Sequence, residues 1–147
     1  MALTVNCMSH DCDPLHPSPA CPIKVLIVED EYILAANLSE TLEALGYVVT
    51  GMADSLITTL QQVEQDRPDV VLMDIWLHGS QDGIGIATLL WDMFQVPTVY
   101  LTSNSDRATF NRAYASLPFG YLLKPVRETE LVAAINLAHQ CSQSQSP

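Results

Sequence analysis

The sequence predicts a doubly wound α/β domain, a five-stranded parallel sheet with helices on both faces. Short apolar runs rich in Val, Ile and Leu alternate five times with longer stretches whose apolar residues recur at helical spacing. The strand runs are apolar at successive positions, as strands covered on both faces are. A length of 147 residues with 48% hydrophobic content suits one domain around one core.

The elements follow in order. "KVLIV" (Lys24–Val28) is the first strand. "EDEYILAANLSETLEALG" is a helix, with Leu34, Leu38, Leu42 and Leu45 on one stripe and Gly46 as its stop. "YVVTGMA" is the second strand. Asp54 and Ser55 can cap a helix that runs to about Asp66, ended by Pro68. "DVVLMD" is the third strand. After the turn "LHGSQDG", "IGIATLLWDMF" is a helix weakened by Gly85. "VPTVYLT" is the fourth strand, "SDRATFNRAYASL" a helix, and "FGYLL" the fifth strand. "RETELVAAINLAHQC" is the last helix, with Leu131, Ile135 and Ala138 on one stripe.

Residues 1–22 carry four prolines and little periodicity, and read as a flexible leader before a domain at 23–141 and a polar tail or linker start at 142–147. In the leader Cys7, His10, Cys12, His16 and Cys21 match none of the usual zinc spacings. The net charge of −11, from 17 acidic and 6 basic residues, argues against a nucleic-acid partner, since no basic stripe exists to release counterions. No apolar run reaches the roughly 20 residues of a membrane span, and the N-terminus lacks the basic and apolar regions of a signal peptide. A cytoplasmic protein without a membrane partner is the expectation.

Right-handed crossovers leave few topologies, and one common order for five such strands is the flavodoxin-like 2-1-3-4-5. Ligands then bind beyond the C-terminal strand ends, where strands one and three are neighbours. Strand one delivers Glu29, Asp30 and Glu31 there, strand three Asp74, strand four Thr102 and strand five Lys124. Carboxylates brought together repel unless a cation joins them, and hard oxygen donors of this kind favour Mg²⁺. A divalent ion beside a carboxylate and a lysine is a place to hold a phosphoryl group. An aspartate there can act as nucleophile and form an acyl phosphate, with Thr102 and Lys124 binding phosphoryl oxygens.

The blocks "VLIVEDE", "VVLMDIWLHGSQDG", "VPTVYLTS" and "FGYLLKP", in this order, resemble the receiver domain of two-component response regulators over about residues 23–140. The resemblance implies a phosphorylation-controlled signalling switch that catalyses only its own phosphotransfer and dephosphorylation. It makes Asp74 the phosphoacceptor. Glu29, Asp30, Asp74 and the backbone carbonyl of Trp76 become ligands of Mg²⁺ (or Mn²⁺). Thr102 and Tyr121 become the switch residues, Lys124 the phosphate-pairing lysine, and Lys124-Pro125 a cis peptide. It also implies a histidine kinase or histidine phosphotransfer protein as donor. Output by homodimer or effector binding would use the face built from 106–116, 119–123 and 128–139. Glu29 departs from the family's commoner Asp.

Three other readings compete. A receiver-like domain that only binds partners would need none of these side chains. A Mg²⁺-dependent aspartyl phosphatase wants a second acid two residues after the nucleophile, where this chain has Trp76. A flavin or nucleotide binder wants a small-residue phosphate loop after strand one, and "EDE" is its electrostatic opposite. Whether the domain stands alone or belongs to a longer chain stays open.

Overall fold

A computed structural model of the chain describes residues 22–78, 82–103 and 119–145. The leader up to Cys21 and the helix expected after Ser103 lie outside the described residues. Five parallel strands form one sheet in the order β2-β1-β3-β4-β5, with β1 at Lys24–Val28, β2 at Val48–Ala53, β3 at Val70–Asp74, β4 at Thr98–Thr102 and β5 at Gly120–Leu123. The predicted class and strand order are those observed.

Burial follows position in the sheet. Every residue of β3 and β4 is buried, because central strands of a parallel sheet are covered on both faces. The edge strands β2 and β5 are only partly covered. Helices α1 (Tyr32–Ala44) and α4 (Glu128–Gln145) bury Ala35, Leu42, Leu131, Ile135 and Ala138 against one sheet face. Helices α2 (Leu56–Gln65) and α3 (Asp82–Phe94) bury Val63, Ile84, Ile86, Ala87 and Leu90 on the other. Tyr47 ties the end of α1 to α4 through a 2.8 Å bond from its hydroxyl to Asn136.

The helix boundaries come from local chemistry. Gly46 takes a φ of 99° to end α1, a conformation open to glycine at little cost. Ser55 caps α2 in a reciprocal box with Thr58, each side chain bonded to the other residue's backbone N–H. Two ends differ from expectation. Helix α3 begins at Asp82, inside the expected turn, because Gly83 lets the helix start lie directly on the end of β3. Helix α4 continues to Gln145, so residues 142–145 of the expected tail are helical. There the Ser142 side chain is buried and its hydroxyl bonds back to the His139 carbonyl at 2.9 Å.

Candidate acidic phosphoryl and metal site

Strands β1 and β3 are direct neighbours, with Val28 beside Met73, so the residues that follow both strands emerge side by side. Each of those strands is an apolar run that ends in acid, and the acids therefore share one edge. Carboxylate oxygens of Glu29, Asp30 and Asp74 lie within 4.8 Å of one another. Strand β5 brings Lys124 to the same edge, its backbone N–H bonded to the Thr102 carbonyl at 2.8 Å. An open cleft of about 640 Å³ above them is lined by Asp30, Glu31, Asp74, Trp76, Ser103 and Lys124.

The Lys124 ammonium joins the two most buried acids, at 2.9 Å from Glu29 Oε1 and 3.5 Å from Asp74 Oδ2. The Glu29 side chain has no solvent exposure, and its second oxygen accepts from the Glu31 N–H at 3.2 Å. Asp74 Oδ1 accepts from the Trp76 N–H at 3.1 Å. Asp30 is more open, and its Oδ2 accepts from the His78 N–H at 2.9 Å. The peptide bond Lys124-Pro125 is cis, as the resemblance implied.

Burial pushes the Asp74 carboxyl up to about 7, with the Glu29 charge adding to it and the Lys124 ammonium and Trp76 N–H opposing. Burial also works upward on Asp30. There the N–H bonds from His78 and from its own backbone, with Glu29 and the His78 charge, prevail and hold it below its ordinary range. Burial works downward on Lys124, but its bonds to Glu29 and Asp74 outweigh it and raise the ammonium pKa.

A raised carboxyl pKa makes Asp74 a stability cost once ionised. The folded state holds a proton that the unfolded chain has lost between pH 3.8 and about 7, so metal-free stability falls as pH rises through that window. Melts without divalent ions should show a lower Tm at pH 8 than at pH 5. Asp74→Asn should remove most of that slope and melt higher than the parent at pH 8. An equal slope in both proteins would show that Asp74 does not carry it.

Thr102 is fully buried at the end of β4, and its backbone pairs with Leu123. Tyr121 is half-buried against the core on the α2–α3 side, beside Tyr100 in register. Of the expected site residues, the structure thus draws Glu29, Asp30, Asp74 and Lys124 into direct proximity. It sets Thr102 and Tyr121 on the adjoining strands. The donor set fits a hard divalent cation, being all carboxylate with an N–H holding one oxygen of Asp30 and another holding one of Asp74.

Sequence reasoning missed two residues here. His78 holds φ at +52°, donates to Asp30, and sets its ring Nε2 2.9 Å from the Asp54 carbonyl. Its sequence signal was only a histidine four residues after Asp74. Gly83 is the second. A Cβ built on it meets the Asp74 carbonyl oxygen at 2.2 Å and Ile75 Cα at 2.8 Å. The dipeptide Asp82-Gly83 announced a turn and nothing more.

Comparison with known proteins agrees with this picture. The profile of the family described as "Response regulator receiver domain" matches residues 25–136. The transcriptional regulatory protein PdtaR of Mycobacterium tuberculosis is 35% identical over 119 residues, covering 81% of this chain and 58% of PdtaR. The phyllosphere-induced regulator PhyR of Methylorubrum extorquens is 30% identical over 122 residues, covering 82% of this chain and 45% of PhyR. The chain thus spans about half the length of these curated relatives. Among solved structures, the signal receiver domain of a modulated diguanylate cyclase from Desulfovibrio desulfuricans G20 superposes with a TM-score of 0.78 at 38% identity. It covers 85% of this chain and 99% of that one.

Proposed function

The chain belongs to the response regulator receiver domain family, and from that premise we propose that it is a signalling switch operated by phosphorylation of Asp74. The observation that carries this reading is the meeting of Asp74, Glu29, Asp30 and Lys124 at one cleft, from three strands. A lone Asp74 at the end of a buried strand would be an expensive orphan. In this company it is a nucleophile with its counter-charges in reach.

In the proposed reaction an Asp74 carboxylate oxygen attacks the phosphorus of a phosphohistidine on a histidine kinase or phosphotransfer protein. A P–O bond forms and the P–N bond breaks, its electron pair staying on the imidazole nitrogen. Glu29, Asp30, Asp74 and the Trp76 carbonyl would hold Mg²⁺ or Mn²⁺, which supplies charge neutralisation for the phosphoryl oxygens. Lys124 would release its hold on Asp74 and pair with a phosphoryl oxygen, and Thr102 would donate to another. Reversal is hydrolytic: water attacks phosphorus and returns the carboxylate and phosphate.

Thr102 moves toward the acyl phosphate in this reading, and Tyr121 turns into the space behind it. That would change the face that includes residues 119–123 and 128–139, offered to a second copy or an effector protein. The part of that face at 106–116 lies outside the described residues. Among the described residues no helix is long and apolar enough to cross a membrane.

Intact mass after incubation with acetyl phosphate tests the assignment. The parent should gain one phosphoryl mass only with Mg²⁺, and Asp74→Asn should gain none. Equal labelling of the variant would place the acceptor elsewhere. A parent that never labels would favour the reading in which the domain only binds partners.

A further inference from the structure

Beyond the phosphoryl chemistry, we propose that the groove between α1 and α4 is a binding site for a small apolar cation, an amine or amidine carried on an aromatic or aliphatic body. The leucine stripe of α1 is the first sign of it. Leu34, Leu38, Leu42 and Leu45 recur at core spacing, yet of the four only Leu42 is buried, and Leu34 is 37% exposed. A stripe of that pattern ordinarily meets the domain's own core along its length. Here its first half borders a cavity of about 580 Å³ instead.

The cavity has the composition of a small-molecule pocket. Leu101 and Leu131, both buried, join Leu34, Leu38 and Val126 as its apolar walls, and Thr41 and Glu128 add polar groups. Size and lining are those of sites that enclose a compact, largely apolar ligand. The groove does not run the whole length of the helices. Further along them Leu42 and Ile135 are buried in one cluster, and the Tyr47 hydroxyl bonds Asn136 across the gap. At its other end the groove reaches Ser103 and Lys124, which also line the acidic cleft.

The charge along the groove selects a cation. Its one basic residue, Lys124, is already held at 2.9 Å from Glu29 and 3.5 Å from Asp74. Glu128 stands at the start of α4 and takes part in none of the ion pairs among the described residues. An anion gains little from that helix start, because Glu128 and Glu130 already place negative charge in its first turn. The net charge of −11 acts in the same direction. A neutral ligand would fill the apolar part and leave Glu128 unanswered.

The test titrates the full chain with phenylbutylamine, and with phenylbutyrate and phenylbutanol as anionic and neutral counterparts of the same body. Binding is followed by NMR shifts of the leucine and valine methyl groups. The amine should bind with a Kd on the order of 1 mM, as suits a ligand of that size, ahead of the alcohol and far ahead of the carboxylate. It should shift Leu34, Leu38 and Val126. Glu128→Gln should weaken the amine about two- to fivefold, the range of an exposed ion pair, and leave the alcohol unchanged. Thr41→Trp fills the groove and should abolish binding; if that variant folds poorly, the Glu128→Gln comparison decides alone. Amine binding that is lost in Asp30→Ala but survives Thr41→Trp would belong to the acidic cleft and overturn the proposal. Preference for the carboxylate, equal affinity for all three probes, or methyl shifts confined to other parts of the chain would overturn it too. A dimer in sedimentation with Leu34 and Leu38 at its interface would give the groove to a second copy, and equally remove the small-molecule reading.

Discussion

Gly83→Ala and Gly85→Ala, two residues apart in one helix, should move stability in opposite directions. A Cβ at position 83 runs into the Asp74–Ile75 peptide: the Asp74 carbonyl oxygen at 2.2 Å, Ile75 Cα at 2.8 Å and the Asp74 carbonyl carbon at 3.0 Å. No flexible side chain can yield, so α3 must lift from the end of β3. The Gly83 N–H bond to the Ile75 carbonyl, 3.1 Å, would go with it. The cost should reach about 3 kcal/mol, at the upper end of overpacking effects. The metal and phosphoryl functions should weaken as well, because Asp74 and its loop are what shifts. A Cβ at position 85 meets nothing within 4 Å on an exposed helical surface. Alanine there should stabilise by about 0.5–1 kcal/mol through propensity and the stiffer unfolded chain. Chemical denaturation of both variants decides. A Gly83→Ala protein as stable as the parent would mean that α3 does not press on the phosphoacceptor strand.

Lys124→Met should cost about 3–5 kcal/mol at pH 8 without divalent ions, the range for breaking a buried ion pair by removing one partner. The Lys124 side chain is 21% exposed and holds a Glu29 side chain with none and an Asp74 side chain with 9%. Methionine keeps the stem and removes the charge, leaving two buried carboxylates facing each other. The loss should be smaller at pH 5, where Asp74, whose pKa lies near 7, is already protonated. For a domain of this size the pH 8 effect corresponds to about 6–20 °C in Tm. Added Mg²⁺ should recover more in Lys124→Met than in the parent, because the lost cation leaves more repulsion for the metal to relieve. A Tm within about 2 °C of the parent at pH 8 would show that Glu29 and Asp74 do not depend on this lysine.

Much of the site could be read along the chain because parallel sheets make it so. A strand covered on both faces must be apolar throughout, and the first polar residue after it marks the strand end. Glu29, Asp74, Thr102 and Lys124 were found by that signal, with Asp30 directly after Glu29, and α/β crossovers place such ends on one edge. The same period logic located α1, α2 and α4 by their leucines, caps and stops. What it could not supply were relations between residues distant in sequence. Lys124 chooses Glu29 as its nearer partner across 95 positions. That choice depends on the sheet order, in which β5 lies at the far side of β4 and β3 from β1.

Sequence by itself therefore determined the class of fold, the order of elements and the chemical inventory at the strand ends. Those follow from local periodicity and from the rule that buried strands exclude charge until they end. Tertiary structure alone decided that Glu29 is fully enclosed and neutralised by lysine, that His78 reaches Asp30 from the left-handed region, and that Gly83 lets the start of α3 lie against the backbone at the end of β3. It also decided that Gly85, which weakens the helix on paper, faces open space. Each of these depends on distances of a few ångströms between backbones, set by sheet twist and helix packing, and one-dimensional patterns carry no measure of those distances.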